Sequence, residues 1–328
     1  MRRRRSFKGM LALAIGAAAA IAPAPARAAT KLTSAYTAIS GVFGGQWAAQ
    51  EAGIFARYGI DSSLVYIASA TKTAQAMLAG EVPVAVMGGE AVVSAALGGA
   101  NLVFVAGVLN RSLYFIVVRQ DILSPQDLRG KAIGVTRYGA TSDFSARLAL
   151  RHWRLEPNKD VALLQLGGVP EILAAMKSGA VQGGAMTPPT NVRARHQGYR
   201  ELVNVGELGF FPHVALVTTR PFLREHPDVV RAYLKAYTEG VRRYKTDKAF
   251  GIEILRKYTK VTDPELLEES YALAAPPLED SLYLEPKGIQ AVLEFSDHPG
   301  AKAAKPEDFM DLRLVHDLER SGFLGSPR

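Results

Sequence analysis

Short apolar runs recur from residue 31 onward, each followed by small or hydroxylated residues and then by a stretch of helical periodicity. Runs of four to eight apolar residues bounded by turn residues read as strands buried on both faces. Strands that alternate with helices build an open α/β sheet, which binds ligands where the loops gather, at the carboxyl ends of its strands. The expected class is therefore α/β, with any ligand held by the loops that follow strands.

The clearest instance is residues 123–149, LSPQDLRGKAIGVTRYGATSDFSARLA. Ser124 can cap a short turn that begins at Pro125, and Gly130 ends it. KAIGV (131–135) is a buried strand, and TRYGATS (136–142) leads into a helix carrying Phe144, Leu148 and Trp153 at helical spacing. A strand that feeds a helix through Gly, Thr and Ser presents unpaired N–H groups and hydroxyls to one point, which suits an anion or a polar head group. An ordinary β–α turn has the same composition.

In chain order, a strand at 31–35 precedes the loop YTAISGVFGGQ (36–46) and a helix with Trp47, Glu51, Ile54 and Phe55 at turn spacing. A strand at 60–67, the loop SATKT (69–73) and a helix at 74–79 follow. VAVM (84–87) is a strand, Gly88-Gly89-Glu90 opens a helix at 91–97, and 102–108 and 113–118 are further strands. A second lobe begins near Arg119 with strands at 131–135, 161–166, 184–187 and 201–205 and a helix at 170–177. HVALVT (213–218) leads back out, and helices are expected at 227–244, 248–258, 264–274, 288–294 and 306–321. The elements before residue 119 are too few to close a core, and the late helices have no sheet of their own. Residues 29–118 and 219–328 should therefore form one lobe and 119–218 the other, with two crossings as a hinge and a cleft between the lobes.

The first 28 residues read as an address rather than as fold. Arg2 to Arg5 and Lys8 precede an apolar run at 10–21, and Ala26-Arg27-Ala28 is a small-x-small cleavage site, with Sec and twin-arginine export both open. They hold six basic residues and no acid, so of the formal +8 only +2 remains afterwards, 33 basic against 31 acidic residues. That balance gives no basis for nucleic-acid binding. The chain has no cysteine, which excludes disulfides, thiolate metal sites and cysteine nucleophiles. Its six histidines have no metal-ligand spacing, and no nucleophile elbow or Walker loop is present. No catalytic residue, cofactor or metal is expected. Among the histidines only His213, near the returning strand, draws attention.

The segments GQWAAQEAGIFARYGID (45–61), DLRGKAIGV (127–135), VPEILAAMKSGAVQGGAMTPP (169–189) and RPFLREHPDVVRAYLKAYTEGVRRYKTD (220–247), in this order, resemble the periplasmic solute-binding proteins of ABC importers. Within them the likeness is to the branch for aliphatic sulfonates, taurine, nitrate and thiamine-pyrimidine precursors. The resemblance implies the two-lobed type-2 periplasmic binding protein fold, a small-molecule ligand, and delivery to an inner-membrane permease driven by a cytoplasmic ATPase. It also implies an exported, periplasmic, monomeric protein that is not an enzyme. Carried over by position, ligand contacts fall at Ser40, Phe43 and Gln46, at Ala70 and Thr71, and at Gly88, Gly89 and Glu90. Across the cleft they fall at Tyr138, Gly139, Ala140 and Thr141, and at Met186, Thr187 and Pro188. The chain departs from the family where an acidic residue is common: it reads Ala180-Val181-Gln182-Gly183-Gly184.

Two side chains carry open alternatives. Arg137 either forks onto an oxyanion, with Tyr138 beside it, or lies on the cleft rim. Glu90 either points inward, where a buried carboxylate wants a cationic partner, or supports the first turn of its helix. Phe43 and Tyr138 are candidates for an apolar wall, and Trp47 is expected in the core with Ile54. The expected ligand is a small organic anion; Phe43, Met87 and Met186 would equally suit an aromatic or heterocyclic body. An exported enzyme on the same fold, like those of pyrimidine-precursor synthesis or the menaquinone pathway, is the alternative reading.

Overall fold

A computed structural model describes residues 29–324; the export signal expected over residues 1–28 lies outside them. Ten strands follow in chain order: β1 (Thr30–Tyr36), β2 (Ile60–Tyr66), β3 (Val84–Met87), β4 (Leu102–Arg111), β5 (Phe115–Val118), β6 (Ala132–Val135), β7 (Ala162–Gln165), β8 (Gly183–Met186), β9 (Arg200–Asn204) and β10 (Phe210–Thr219). They form two five-stranded sheets, ordered β2-β1-β3-β10-β4 and β7-β6-β8-β5-β9. The strands β3, β5 and β8 are buried along their whole length, as expected where helices cover both faces of a sheet.

Both lobes share one plan. In the first, β1 runs parallel to β2 and β3, while β10 runs against β3 and β4. In the second, β6 runs parallel to β7 and β8, while β5 runs against β8 and β9. The antiparallel strand of each sheet is the one that has just arrived from the other lobe.

This pairing moves the expected crossings. Phe115–Val118 pairs with β8 and β9 and so belongs to the second lobe, whereas Phe210–Thr219 pairs with β3 and β4 and belongs to the first. The chain crosses between Arg111 and Phe115 and returns between Asn204 and Phe210, ahead of residues 119 and 219. FIVV at Phe115–Val118 is a continuous apolar run and FFPHVALVTT at Phe210–Thr219 a largely apolar one, and apolar character does not say which sheet a strand joins.

The late helices do lie on the first lobe. The helix Pro227–Thr246 crosses Gly44–Glu51 so closely that a Cβ on Gly240 would sit 2.3 Å from the Gly45 carbonyl oxygen. Trp47 is fully buried there, its ring stacked on Tyr258 with centroids 4.5 Å apart. The helix expected over 306–321 divides into a 3-10 turn at Pro306–Phe309 and a helix at Arg313–Arg320. Among the described residues no helix is long and apolar enough to cross a membrane.

The departure at residues 182–184 sits at the amino end of β8. Gln182 Oε1 accepts from the Ala132 N–H at 3.1 Å, and a Cβ on Gly184 would meet Ile172 Cγ2 at 2.1 Å. Glycine is there because the helix Val169–Lys177 presses on the strand. That end lies opposite Thr187, so the departure does not reach the loops between the lobes.

Candidate functional site

The carboxyl ends of the two sheets face each other across a cavity of about 20 Å³, room for roughly one or two waters. Six of the expected positions line it: Ser40, Phe43 and Ala70 from the first lobe, Ala140, Thr141 and Thr187 from the second. Helices begin at the cavity at Ala70, Thr141 and Val169. The first turn of each has N–H groups with no partner within the helix and the positive end of its dipole. Thr37, Ser69 and Thr136 add hydroxyls, and no lysine or arginine lines the cavity. The Thr187 side chain is buried and its Oγ1 has no hydrogen-bond partner, an arrangement that costs free energy until something fills it.

The lobes are closed on each other. Ser40 Oγ donates to the Pro188 carbonyl at 3.0 Å, and the Gly41 N–H donates to the same oxygen at 3.2 Å. Thr141 Oγ1 donates to Glu90 Oε1 at 2.7 Å. The approach needs glycine at position 88, where a Cβ would lie 1.9 Å from Thr141 Oγ1.

Glu90 combines both alternatives. It stands in the first turn of the helix Gly89–Leu97 and is buried at the lobe boundary, with Oε2 unpartnered. Burial pushes its carboxyl up to about 8 and the nearby Asp143 adds to the rise, against the opposing hydrogen bond from Thr141. At neutral pH burial in this closed form therefore favours the protonated carboxyl of Glu90.

Other expected contacts lie elsewhere. Gln46 is interior to the first lobe, where Nε2 donates to the Tyr233 hydroxyl at 2.8 Å. Thr71 shares a hydrogen bond of 2.9 Å with Ser69 and is in the first turn of its helix, which begins at Ala70 rather than at 74. A Cβ on Gly89 would strike Pro212 at 2.4 Å, so glycine serves packing there. Met186 is buried as the last residue of β8, outside the cavity lining, and Pro188 contributes its carbonyl to the lobe contact. Gly139 adopts φ +68°, a turn conformation that favours glycine, and faces Thr71 across the cleft.

The pair expected to grip an oxyanion is not assembled. Tyr138 is 45% exposed, and its hydroxyl donates to the Leu163 carbonyl at 2.7 Å, within its own lobe. Arg137 is half-buried with Nε unpartnered and does not line the cavity.

Three further aromatic residues line the cavity: Tyr66 and Tyr114, which the sequence did not point to, and His213, the one histidine that drew attention there. The His213 ring stacks on Tyr114, centroids 5.2 Å apart, and its Nδ1 accepts from the Leu113 N–H at 2.7 Å. Burial lowers the ring to about 3, so it is neutral with its proton on Nε2. Burial pushes the Tyr114 phenol well above its ordinary value. A tyrosine that ends a strand just ahead of a hydroxyl-rich loop was the available signal for Tyr66.

Comparison with known proteins agrees with this geometry. A taurine-binding periplasmic protein of Escherichia coli is 30% identical over 133 residues, 39% of this chain and 40% of that protein, so the match spans less than half of that relative. The alkanesulfonate-binding protein SsuA of Xanthomonas axonopodis superposes with a TM-score of 0.71 at 20% identity, covering 89% of this chain and 98% of that one. The nitrate-binding protein NrtA of Synechocystis gives 0.74 at 16% identity, covering 91% and 90%. These two likenesses carry the fold, which is the two-lobed fold of periplasmic binding proteins. The family model described as NMT1/THI5 like matches residues 41–247, a span that takes in both crossings and the whole second lobe. The chain belongs to the NMT1/THI5 like family.

Proposed function

We propose that the protein is the extracytoplasmic solute-binding component of an ABC uptake transporter. The ligand bridges the two lobes and favours the closed form by binding it more tightly than the open one. Closure is then the state that an inner-membrane permease with its cytoplasmic ATPase recognises. In this reading the protein is a periplasmic monomer, exported by residues 1–28.

The observation that carries the reading is the meeting of both lobes' strand-end loops at one cavity, with the Thr187 hydroxyl unpaired at its wall. Loops of both lobes supply hydroxyls and helix N-termini to the same point, and aromatic rings close the rest. That lining suits a small polar solute whose oxyanion is held by neutral donors rather than by a guanidinium. Binding is favoured over turnover by the state of the ionisable groups. His213 presents a donor from Nε2 because Nδ1 is engaged by the backbone, and Glu90 is occupied by Thr141.

A thermal-shift screen of residues 29–328 against sulfonates, carboxylates, nitrate, pyrimidines and flavins tests this. A ligand at a hundred times its dissociation constant adds about 2.7 kcal/mol, a rise of a few degrees. The expected result is a shift by one chemical class, with the compound recovered unchanged by chromatography. A compound that returns altered favours the enzyme.

A further inference from the structure

Glu90 belongs to the first lobe, but the second lobe helps to bury it. Thr141 reaches across the cleft to its Oε1, and Gly88 lets that helix end approach until no side chain would fit between them. Oε2 is sealed in with no donor to meet it. An ionised carboxylate with one bare oxygen away from water costs far more than a protonated one, whose unpartnered O–H is a neutral group. Parting the lobes withdraws Thr141 and admits water, which restores the ordinary preference of a carboxyl for ionisation at neutral pH.

The surroundings offer no compensating cation. From the helix Thr141–His152 the nearest charge is Asp143, paired with Arg147 at 2.9 Å, and that carboxylate opposes ionisation of Glu90. Arg151 and His152 of the same helix are on the outside. Tyr114 from the first crossing and His213 from β10 are uncharged. The other elements packed on the Glu90 helix carry Lys72, Arg111, Lys287, Glu294, Glu307 and Asp308, and all six are exposed.

We propose that closing the cleft takes up one proton from solvent at Glu90 Oε2, so that capture of a ligand is coupled to proton uptake. This goes beyond the transport function proposed above, and its test needs no ligand, so the two can fail independently. With the closed-form carboxyl pushed up to about 8 and the open form in the ordinary carboxylate range, the closed-to-open ratio falls about tenfold per pH unit between pH 6 and 8. Above that it levels off, because Glu90 is then ionised in both forms.

The chain has no cysteine, so Leu78→Cys and Lys159→Cys, both at exposed positions and one in each lobe, give a unique pair of labelling sites. Single-molecule energy transfer between the labels reads the closed fraction from pH 5.5 to 9. The expected result is a closed fraction that falls as pH rises, and a flat profile once Glu90→Gln, which imitates the protonated acid, is added. A pH-independent closed fraction in the labelled protein with Glu90 intact overturns the proposal whatever the variant does. An unchanged pH response in Glu90→Gln overturns it as well, by assigning the proton to another group.

Discussion

The Leu113 backbone N–H donates to Nδ1 of His213 at 2.7 Å, which pins the chain leaving the first lobe to the chain returning to it. The bond fixes the ring's tautomer, and the stack of Tyr114 on the same ring carries the fixation to the cavity wall. The two crossings are therefore tied to each other at the boundary between the lobes.

Stability should fall in acid through His213. Its folded value is lowered to about 3 from an ordinary 6.5, so the unfolded chain binds the proton first. The contribution is fully present above pH 6.5 and is lost as pH falls towards 3, at about 1.4 kcal/mol per pH unit. His213→Phe removes this dependence and leaves the Leu113 N–H unpaired, costing about 1–3 kcal/mol at pH 7. Urea unfolding of both proteins at pH 5 and pH 7 measures both by difference, because the opposite contribution of Glu90, whose raised carboxyl favours the folded state as pH falls from about 8, is common to the two.

Gly88→Ala should keep the lobes from closing while each still folds. Its backbone is ordinary, with φ −72°, so the added Cβ meets Thr141 Oγ1 across the cleft at 1.9 Å and, less severely, the Glu90 carboxyl oxygens of its own lobe at 3.0 Å. Overpacking of about 1–3 kcal/mol at that contact lowers ligand affinity by roughly 5- to 150-fold. Calorimetry on the ligand found in the screen reads the loss, and the ligand-free melting temperature should hardly move.

Thr187→Val separates binding from stability in the opposite way. The isosteric valine removes a buried hydroxyl that has no partner, so ligand-free stability holds or rises by up to about 1 kcal/mol. A ligand that satisfied the hydroxyl loses a hydrogen bond of about 0.5–1.5 kcal/mol, a few-fold in affinity. A destabilised ligand-free variant with unchanged affinity would place Thr187 outside the site.

The βα alternation was legible because strands buried on both faces leave uninterrupted apolar runs, and the loops after them declare themselves by Gly, Ser and Thr. Ser40, Ala140, Thr141 and Thr187 reach the cavity for that reason. The crossings were not legible: FIVV at Phe115–Val118 is as apolar as any strand of the first lobe, and only its pairing with β8 and β9 assigns it. Gln46, expected by position at the end of the loop 36–46, is instead helical and meets Tyr233, distant in sequence. Arg137 and Tyr138 mislead as well, since sequence position gives the loop but not the direction of a side chain within it. The role of Glu90 depends on Thr141, contributed by the other lobe, a contact that no local pattern encodes.

In the proposed function a small solute binds unaltered between the lobes. Isothermal titration of the screened ligand into the protein and into Gly88→Ala, with the compound recovered afterwards, tests it most directly. One site per chain, clear weakening in Gly88→Ala and full recovery of the compound are expected. Equal affinity in both proteins, or a compound returned chemically changed, would contradict it.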